Sequence, residues 1–222
     1  MADFATQRKN MVESQVRPSD ITDRRIIRAM LEVPREAFCP SSVQPTAYRD
    51  EMLAVNDHKG NRARYAVAPR VLALMIQALE LGDSASVLEI GAATGYGSAV
   101  LSKIAVRVIA VEADPELAQS ARAALAANGA ANVAVVEASL TEGHAAAAPY
   151  DAILINGAVQ EVSRVVLDQL KDGGRLVAVM ANDNVGRLCV WRRVGGTFDR
   201  RVVSDAAAAI LPGFKKPATF VF

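Results

Sequence analysis

The sequence predicts an α/β protein built on a doubly wound, mostly parallel sheet. Five short, nearly continuous apolar runs fall between residues 86 and 179, Ala-rich helical stretches separate them, and a glycine-rich turn follows the first run. Apolar runs without polar alternation mark strands covered on both faces, and their alternation with helices is the βαβ pattern.

In chain order, residues 1 to about 80 read as locally helical with irregular connections. The strand candidates follow: Ser86 to Ile90, Arg107 to Val111, Val133 to Glu137, Asp151 to Ile155 and Arg175 to Val179. Helices are expected at Ser98 to Ile104, Pro115 to Asn128 and Ser163 to Leu170. The second of these has the clearest ends. Asp114 can cap it, Pro115 suits its first position, and Asn128-Gly129 supplies a stop. Later, Leu188 to Arg193, the Gly195-Gly196 turn, Arg201 to Val203 and Thr219 to Phe222 are strand-like without long helices between them. Antiparallel strands at one sheet edge are therefore expected. The alanine runs at 145–148 and 206–209 read as loop or short helix, and no long repeat is visible.

Composition narrows the class. With 25 Lys+Arg against 24 Asp+Glu the net charge is +1, which argues against a nonspecific nucleic-acid or acidic-membrane binder. At 51% hydrophobic and 22% charged, 222 residues suit one domain with a sizeable core. Charged residues such as Glu89, Lys103, Arg122 and Glu137 break the apolar stretches well short of the roughly 18 residues a membrane span needs. The N-terminus carries no apolar signal core, and a cytoplasmic protein is expected. Cys39 and Cys189 stand alone, so neither a disulfide framework nor a metal site is suggested. His58 and His144 lie 86 positions apart in polar settings, leaving little material for histidine-based catalysis.

The strongest local signal is Glu89-Ile90-Gly91-Ala92-Ala93-Thr94-Gly95-Tyr96-Gly97, between the first strand and a helix. Glycines there let the backbone pass close to a nucleotide. The second strand is expected to end at Glu112, 21 positions after Gly91, where a carboxylate can accept both hydroxyls of an adenosine ribose. A dinucleotide fingerprint starting at Gly91 would need glycine at 93 and 96, and the sequence has Ala93 and Tyr96. S-adenosylmethionine carries no pyrophosphate, and an acid such as Glu89 could favour its ammonium, so the methyl donor fits better. A tight turn without a ligand is the plain alternative.

The run Val87 to Tyr96 resembles the first motif of the class I methyltransferases, and especially its form in the protein-L-isoaspartate O-methyltransferases. Met11-Val12-Glu13, Gln15-Val16, Ile21-Thr22-Asp23, Val33 to Pro40 and Ala47-Tyr48-Arg49-Asp50 are similar to the N-terminal region particular to that family. Ala148 to Leu154 and Leu167 to Val177 resemble its later motifs. The resemblance implies a Rossmann-like, seven-stranded sheet with a reversed last hairpin and S-adenosylmethionine as cofactor. The implied reaction is methyl transfer to the free α-carboxylate of an isoaspartyl residue in a damaged peptide or protein, whose ester then collapses to a succinimide. It further implies one methyltransferase domain, with residues 1–80 as an acceptor-side helical segment and 81–222 as the cofactor-binding core.

Two departures stand out. Where the family has a serine close to the reacting carboxylate, this chain has Val67, within Tyr65-Ala66-Val67-Ala68-Pro69-Arg70. Where the family has an acid for the adenine amino group, it has Ala138-Ser139-Leu140, and a neutral hydroxyl is a weaker partner than a carboxylate. Loss of the serine need not abolish chemistry, because a carboxylate nucleophile is already ionised at neutral pH and catalysis rests on positioning. Arg70 or Arg64 could hold the acceptor carboxylate as a bidentate fork, and Arg70 is the candidate; a solvated surface arginine is the alternative for each. The cofactor-site candidates are Glu89, Gly91, Ala92, Ala93, Gly95, Tyr96, Glu112, Ala113, Ser139, Leu140 and Asn156, the last beside Gly157 at the end of the fourth strand. His58 reads as part of a polar loop, Trp191 as packing, and Cys39 as a buried small hydrophobe.

Overall fold

The computed structural model describes residues 3–56, 63–182 and 185–216. Its N-terminal part contains α1 (Phe4–Met11), which runs on through a wide π turn at Val12–Val16, then α2 (Arg24–Glu32), β1 (Leu53–Ala54), β2 (Tyr65–Ala66) and α3 (Pro69–Ala78). The remainder contains β3 (Ser86–Ile90), α4 (Tyr96–Ser102), β4 (Arg107–Glu112), α5 (Pro115–Ala127), β5 (Val133–Glu137), β6 (Tyr150–Val159), α6 (Arg164–Leu167), β7 (Leu170–Asn182), β8 (Val185–Val194) and β9 (Thr197–Asp205). The two cysteines are free. Among the described residues no helix is long and apolar enough to cross a membrane.

Seven strands form one sheet in the order β5-β4-β3-β6-β7-β8-β9. The first five are parallel neighbours, and β8 runs antiparallel to both β7 and β9. The expected edge additions are therefore β8 and β9; the strand-like Thr219 to Phe222 lies outside the described residues, as does His58. The order in which strands are added reverses between β3 and β6, so the C-terminal ends of these parallel strands flank the crevice where doubly wound sheets bind ligands.

Local chemistry accounts for most element ends. Asp114 caps α5 by accepting from the N–H groups of Glu116 and Leu117, Pro115 opens the helix, and Gly129 leaves it at φ +70°. The third expected helix is shorter than its sequence suggests. The buried Gln169 side chain bonds Glu142 O, Val165 O and His144 N, and Leu170 is drawn into the sheet opposite Tyr150. Apolar residues from α1, α2 and α3 share one cluster with Val87, Val108 and Val177 of the sheet. Trp191 packs in the second cluster, on the other sheet face, while Cys39 is half-buried against the first. The two-residue hairpin β1–β2 has no strand-length signal in the sequence.

Candidate active site

The glycine loop is shaped by three residues at positive φ: Gly91 (+84°), Ala93 (+51°) and Gly95 (+93°). The third forms the N-cap of α4, which begins at Tyr96, two residues before the expected start. Gly91 and Ala92 both donate to Val111 O, so the loop starts tied to the end of β4. Glu112 completes the attachment. Its Oε2 accepts from Ala93 N at 2.7 Å, and its Oε1 accepts from Ala113 N at 2.9 Å and Asp114 N at 3.1 Å. Arg64, just before β2, also donates to Oε1 from Nη1 at 2.5 Å. Thus the carboxylate expected to take ribose hydroxyls is bound by a guanidinium. Arg64 is buried, which excludes the solvated alternative for this residue.

Glu89 lies beneath the loop, fully buried. Ser98 donates to one oxygen, and Asn156 Nδ2 donates to the other at 2.7 Å. Burial pushes its pKa up to about 7, against the lowering effect of those two donors, with Glu112 adding to the rise. Because the amide nitrogen of Asn156 is turned to Glu89, its Oδ1 is left without a partner among the described residues. Glu89 therefore fixes the orientation of Asn156. Gly97 has to be glycine here, since a Cβ would come within 2.2 Å of Glu89 Oε1 and 2.7 Å of Asn156 Nδ2.

A narrow cavity joins these parts to the N-terminal segment, with about 10 Å³ open to water, room for one molecule. Ala92, Ala93, Tyr96 and Asn156 line it from the sheet side, and Arg35, Tyr65 and Val67 from the other. The expected site residues Val67, Ala92, Ala93, Tyr96 and Asn156 are thus brought together. Ala113 and Ser139 are exposed at the ends of β4 and β5, Ser139 sharing a hydrogen bond with Thr141, and Leu140 is buried in the second apolar cluster. Arg70 is outside the lining, the second residue of α3, with its Nε 3.3 Å from Asp50 Oδ2.

Arg35 and Leu211 belong to the site without having been singled out in the sequence. Leu211 is on a segment fixed beside β6, where Ala158 N donates to Ala209 O and Leu211 N donates to Ala158 O. Its side chain lies 2.6 Å from where a Cβ on Gly157 would be and 2.9 Å from one on Gly91. An apolar run between alanines and Pro212-Gly213 was the available signal. Arg35 lies in the family-like run Val33 to Pro40, but nothing in a local sequence marks an arginine for burial.

Residues 6–207 match the family described as Protein-L-isoaspartate(D-aspartate) O-methyltransferase (PCMT). The chain belongs to this family. Among its relatives, the protein-L-isoaspartate O-methyltransferase of Herpetosiphon aurantiacus is 36% identical over 207 residues, 93% of this chain and 90% of that one. That of Methanoculleus marisnigri is 38% identical over 172 residues, 78% of this chain and 76% of that one. A solved structure called protein-L-isoaspartate O-methyltransferase superposes with a TM-score of 0.82 at 25% identity, covering 93% of this chain and 66% of that one, slightly under two thirds of its length. The fold is also that of a Plasmodium falciparum structure described as a putative protein-L-isoaspartate O-methyltransferase in complex with S-adenosyl-L-homocysteine, with a TM-score of 0.78 at 16% identity. The PCMT family uses S-adenosylmethionine, and the residues of this member fit that cofactor in kind: a buried strand-end carboxylate, a loop without bulky side chains, and the free Oδ1 of Asn156. In space, Arg64 holds the strand-end carboxylate and Leu211 lies over Gly91 and Gly157.

Proposed function

We propose that this protein is a protein-L-isoaspartate O-methyltransferase acting on the free α-carboxylate of isoaspartyl residues in peptides or proteins. The observation that carries the reading is the cavity shared by the glycine loop and the family's N-terminal segment, with Ala93, Tyr96 and Asn156 on one wall and Arg35 and Val67 on the other. When bound, S-adenosylmethionine supplies an electrophilic methyl group on a sulfonium.

Glu112 is the residue to accept from the ribose hydroxyls, Asn156 Oδ1 from the ammonium, and the Gly91 to Ala93 backbone borders the nucleoside. By the resemblance, Ser139 and Leu140 stand at the adenine edge. Val67 brings no hydroxyl, and none is needed to remove a proton, because the acceptor carboxylate is ionised at neutral pH. The burden on the chain is to strip that carboxylate of water and aim it. Arg70, three residues after Val67, is proposed to meet the acceptor at the rim. A cytoplasmic setting accompanies this reading and suits free Cys39 and Cys189.

The test is transfer of labelled methyl from S-adenosylmethionine to an isoaspartyl peptide, beside its aspartyl twin and a Val67→Ser variant. Label on the isoaspartyl peptide alone supports repair chemistry. A second reading, methylation of a different acceptor, rests on Val67; it gains if wild type leaves both peptides unlabelled and Val67→Ser labels the isoaspartyl one.

A further inference from the structure

Arg35 is 1% exposed, among the largest fully buried side chains of the chain. Its Nε donates to Ala47 O and its Nη2 to Val67 O, both at 2.8 Å. The guanidinium lies over the Tyr96 ring, 4.7 Å from its centroid. These contacts tie the segments around residues 35, 47 and 67 to the glycine-loop helix. They do not neutralise the charge. Among the described residues no carboxylate pairs with Arg35, and Nη1 makes no well-aligned hydrogen bond, the side chain otherwise meeting only the Tyr96 hydroxyl. The neighbouring Glu36 is committed to Arg8 and Tyr48. Structural arginines of this depth normally have an anion, since a buried charge is costly unless paired.

The cavity shows what is missing. Arg35 is the one charged residue among its described lining, and Val67 beside it is apolar. On residues of the opposite wall, Tyr96 OH is buried with only the Arg35 side chain acting on it, and Asn156 Oδ1 has no partner among the described residues. The residues lining one narrow space thus carry a guanidinium and a phenol that meet each other but no anion, and one unpaired acceptor. A lone guanidinium Nη1 with a phenol hydroxyl nearby is a donor set for an anion, and a carboxylate matches it in charge and in hydrogen-bond number.

We propose that Arg35, assisted by Tyr96, is the binding residue for a ligand carboxylate, one oxygen of which takes the water-sized space of this cavity. The inference deepens the methyltransferase reading and rests on it. Two carboxylates are available to that reaction, the α-carboxylate of the acceptor and the carboxylate of the cofactor's amino-acid end. In either case the ligand supplies the counter-ion that the fold withholds, and Arg35 selects charged over neutral ligands.

The experiment uses the full chain and charge-deleted ligands. Affinities are measured by calorimetry for S-adenosylhomocysteine, for its carboxamide and for 5′-methylthioadenosine, which lacks the amino-acid end. Isoaspartyl peptide and its α-carboxamide twin are compared by KM and by competitive inhibition. Wild type should prefer one charged ligand over its amide by at least about tenfold, roughly 1.4 kcal/mol. Arg35→Gln should erase that preference, with methylthioadenosine binding retained, and Arg35→Lys should restore part of it. If the preference lost is that for S-adenosylhomocysteine, the anchored carboxylate is the cofactor's; if for the peptide, it is the acceptor's. Equal wild-type affinities within both pairs overturn the proposal without any variant, as does an Arg35→Gln that weakens methylthioadenosine as much as the charged ligands. A wild-type protein that binds neither nucleoside and transfers no methyl overturns the methyltransferase reading itself and this inference with it.

Discussion

Arg64 Nη1 lies 2.5 Å from Glu112 Oε1, in an ion pair whose side chains are 4% and 0% exposed. The pair closes the end of β4 that a ribose would need. Arg64 is not held equally well on its other side, because its Nη2 has no partner among the described residues and lies near Gly91. The guanidinium is therefore a competitor for the carboxylate as well as a neighbour of the loop.

Removing that competitor should tighten cofactor binding. For Arg64→Ala we expect S-adenosylhomocysteine affinity to rise about tenfold, roughly 1.4 kcal/mol. The free protein should lose about 3 kcal/mol, the low end for a broken buried pair, because the N–H groups of Ala93, Ala113 and Asp114 remain on the carboxylate. Calorimetry with and without ligand reads both effects. Weaker binding in the variant would mean that Arg64 serves the ligand instead of opposing it.

Glu89 gives the fold a pH dependence of definite sign. Its pKa is about 7 in the folded chain against 4.5 for the free side chain. Between these values the folded state keeps a proton that the unfolded state has released, so stability falls as pH rises across the interval, by about 3 kcal/mol in total. Above it the loss is complete and the curve flattens for this group. Glu89→Gln should remove the slope, as urea midpoints at about pH 5 and about pH 8 would show. Equal slopes in wild type and variant would assign the pH dependence to other groups.

Two glycines make a matched pair for mutagenesis. Gly97→Ala places a methyl against Glu89 and Asn156, and a cost of about 2 kcal/mol with weakened cofactor binding is expected. Gly82→Ala meets nothing within 4 Å and should be neutral or stabilising by up to about 1 kcal/mol. Thermal melts with and without S-adenosylhomocysteine separate the two.

Arg70→Ala tests the rim. Its ion pair with Asp50 is about two-fifths exposed on each side, so stability should change by less than about 1 kcal/mol. Acceptor KM should rise severalfold while S-adenosylhomocysteine affinity stays put. An unchanged KM removes Arg70 from the acceptor site.

Much of this was legible in the sequence because the relevant signals are local. β3 and β5 begin and end where their apolar runs do, and Asp114-Pro115 marks the start of α5 by its own hydrogen-bonding chemistry. The loop from Gly91 to Gly97 and the acid at Glu112 are likewise a short-range pattern read at known spacing. What escaped depends on contacts between distant segments. Arg64 meets Glu112 across 48 positions, and Arg35 reaches Val67 across 32. Neither the two-residue β1 nor β2 is long enough to show a period, and Leu211 acquires its place only through the backbone of Ala158.

The position of Leu211 also has a bearing on biosynthesis. It stands 120 positions after Gly91, beyond the last strand of the sheet, yet its side chain roofs both Gly91 and Gly157. A nascent chain that has emerged as far as β9 can already pair every strand, while the crevice above the glycine loop is still uncovered. Pairing of the strands therefore does not require Leu211, and a chain clipped after Asp205 is expected to keep its scaffold while leaving its nucleoside crevice open to solvent.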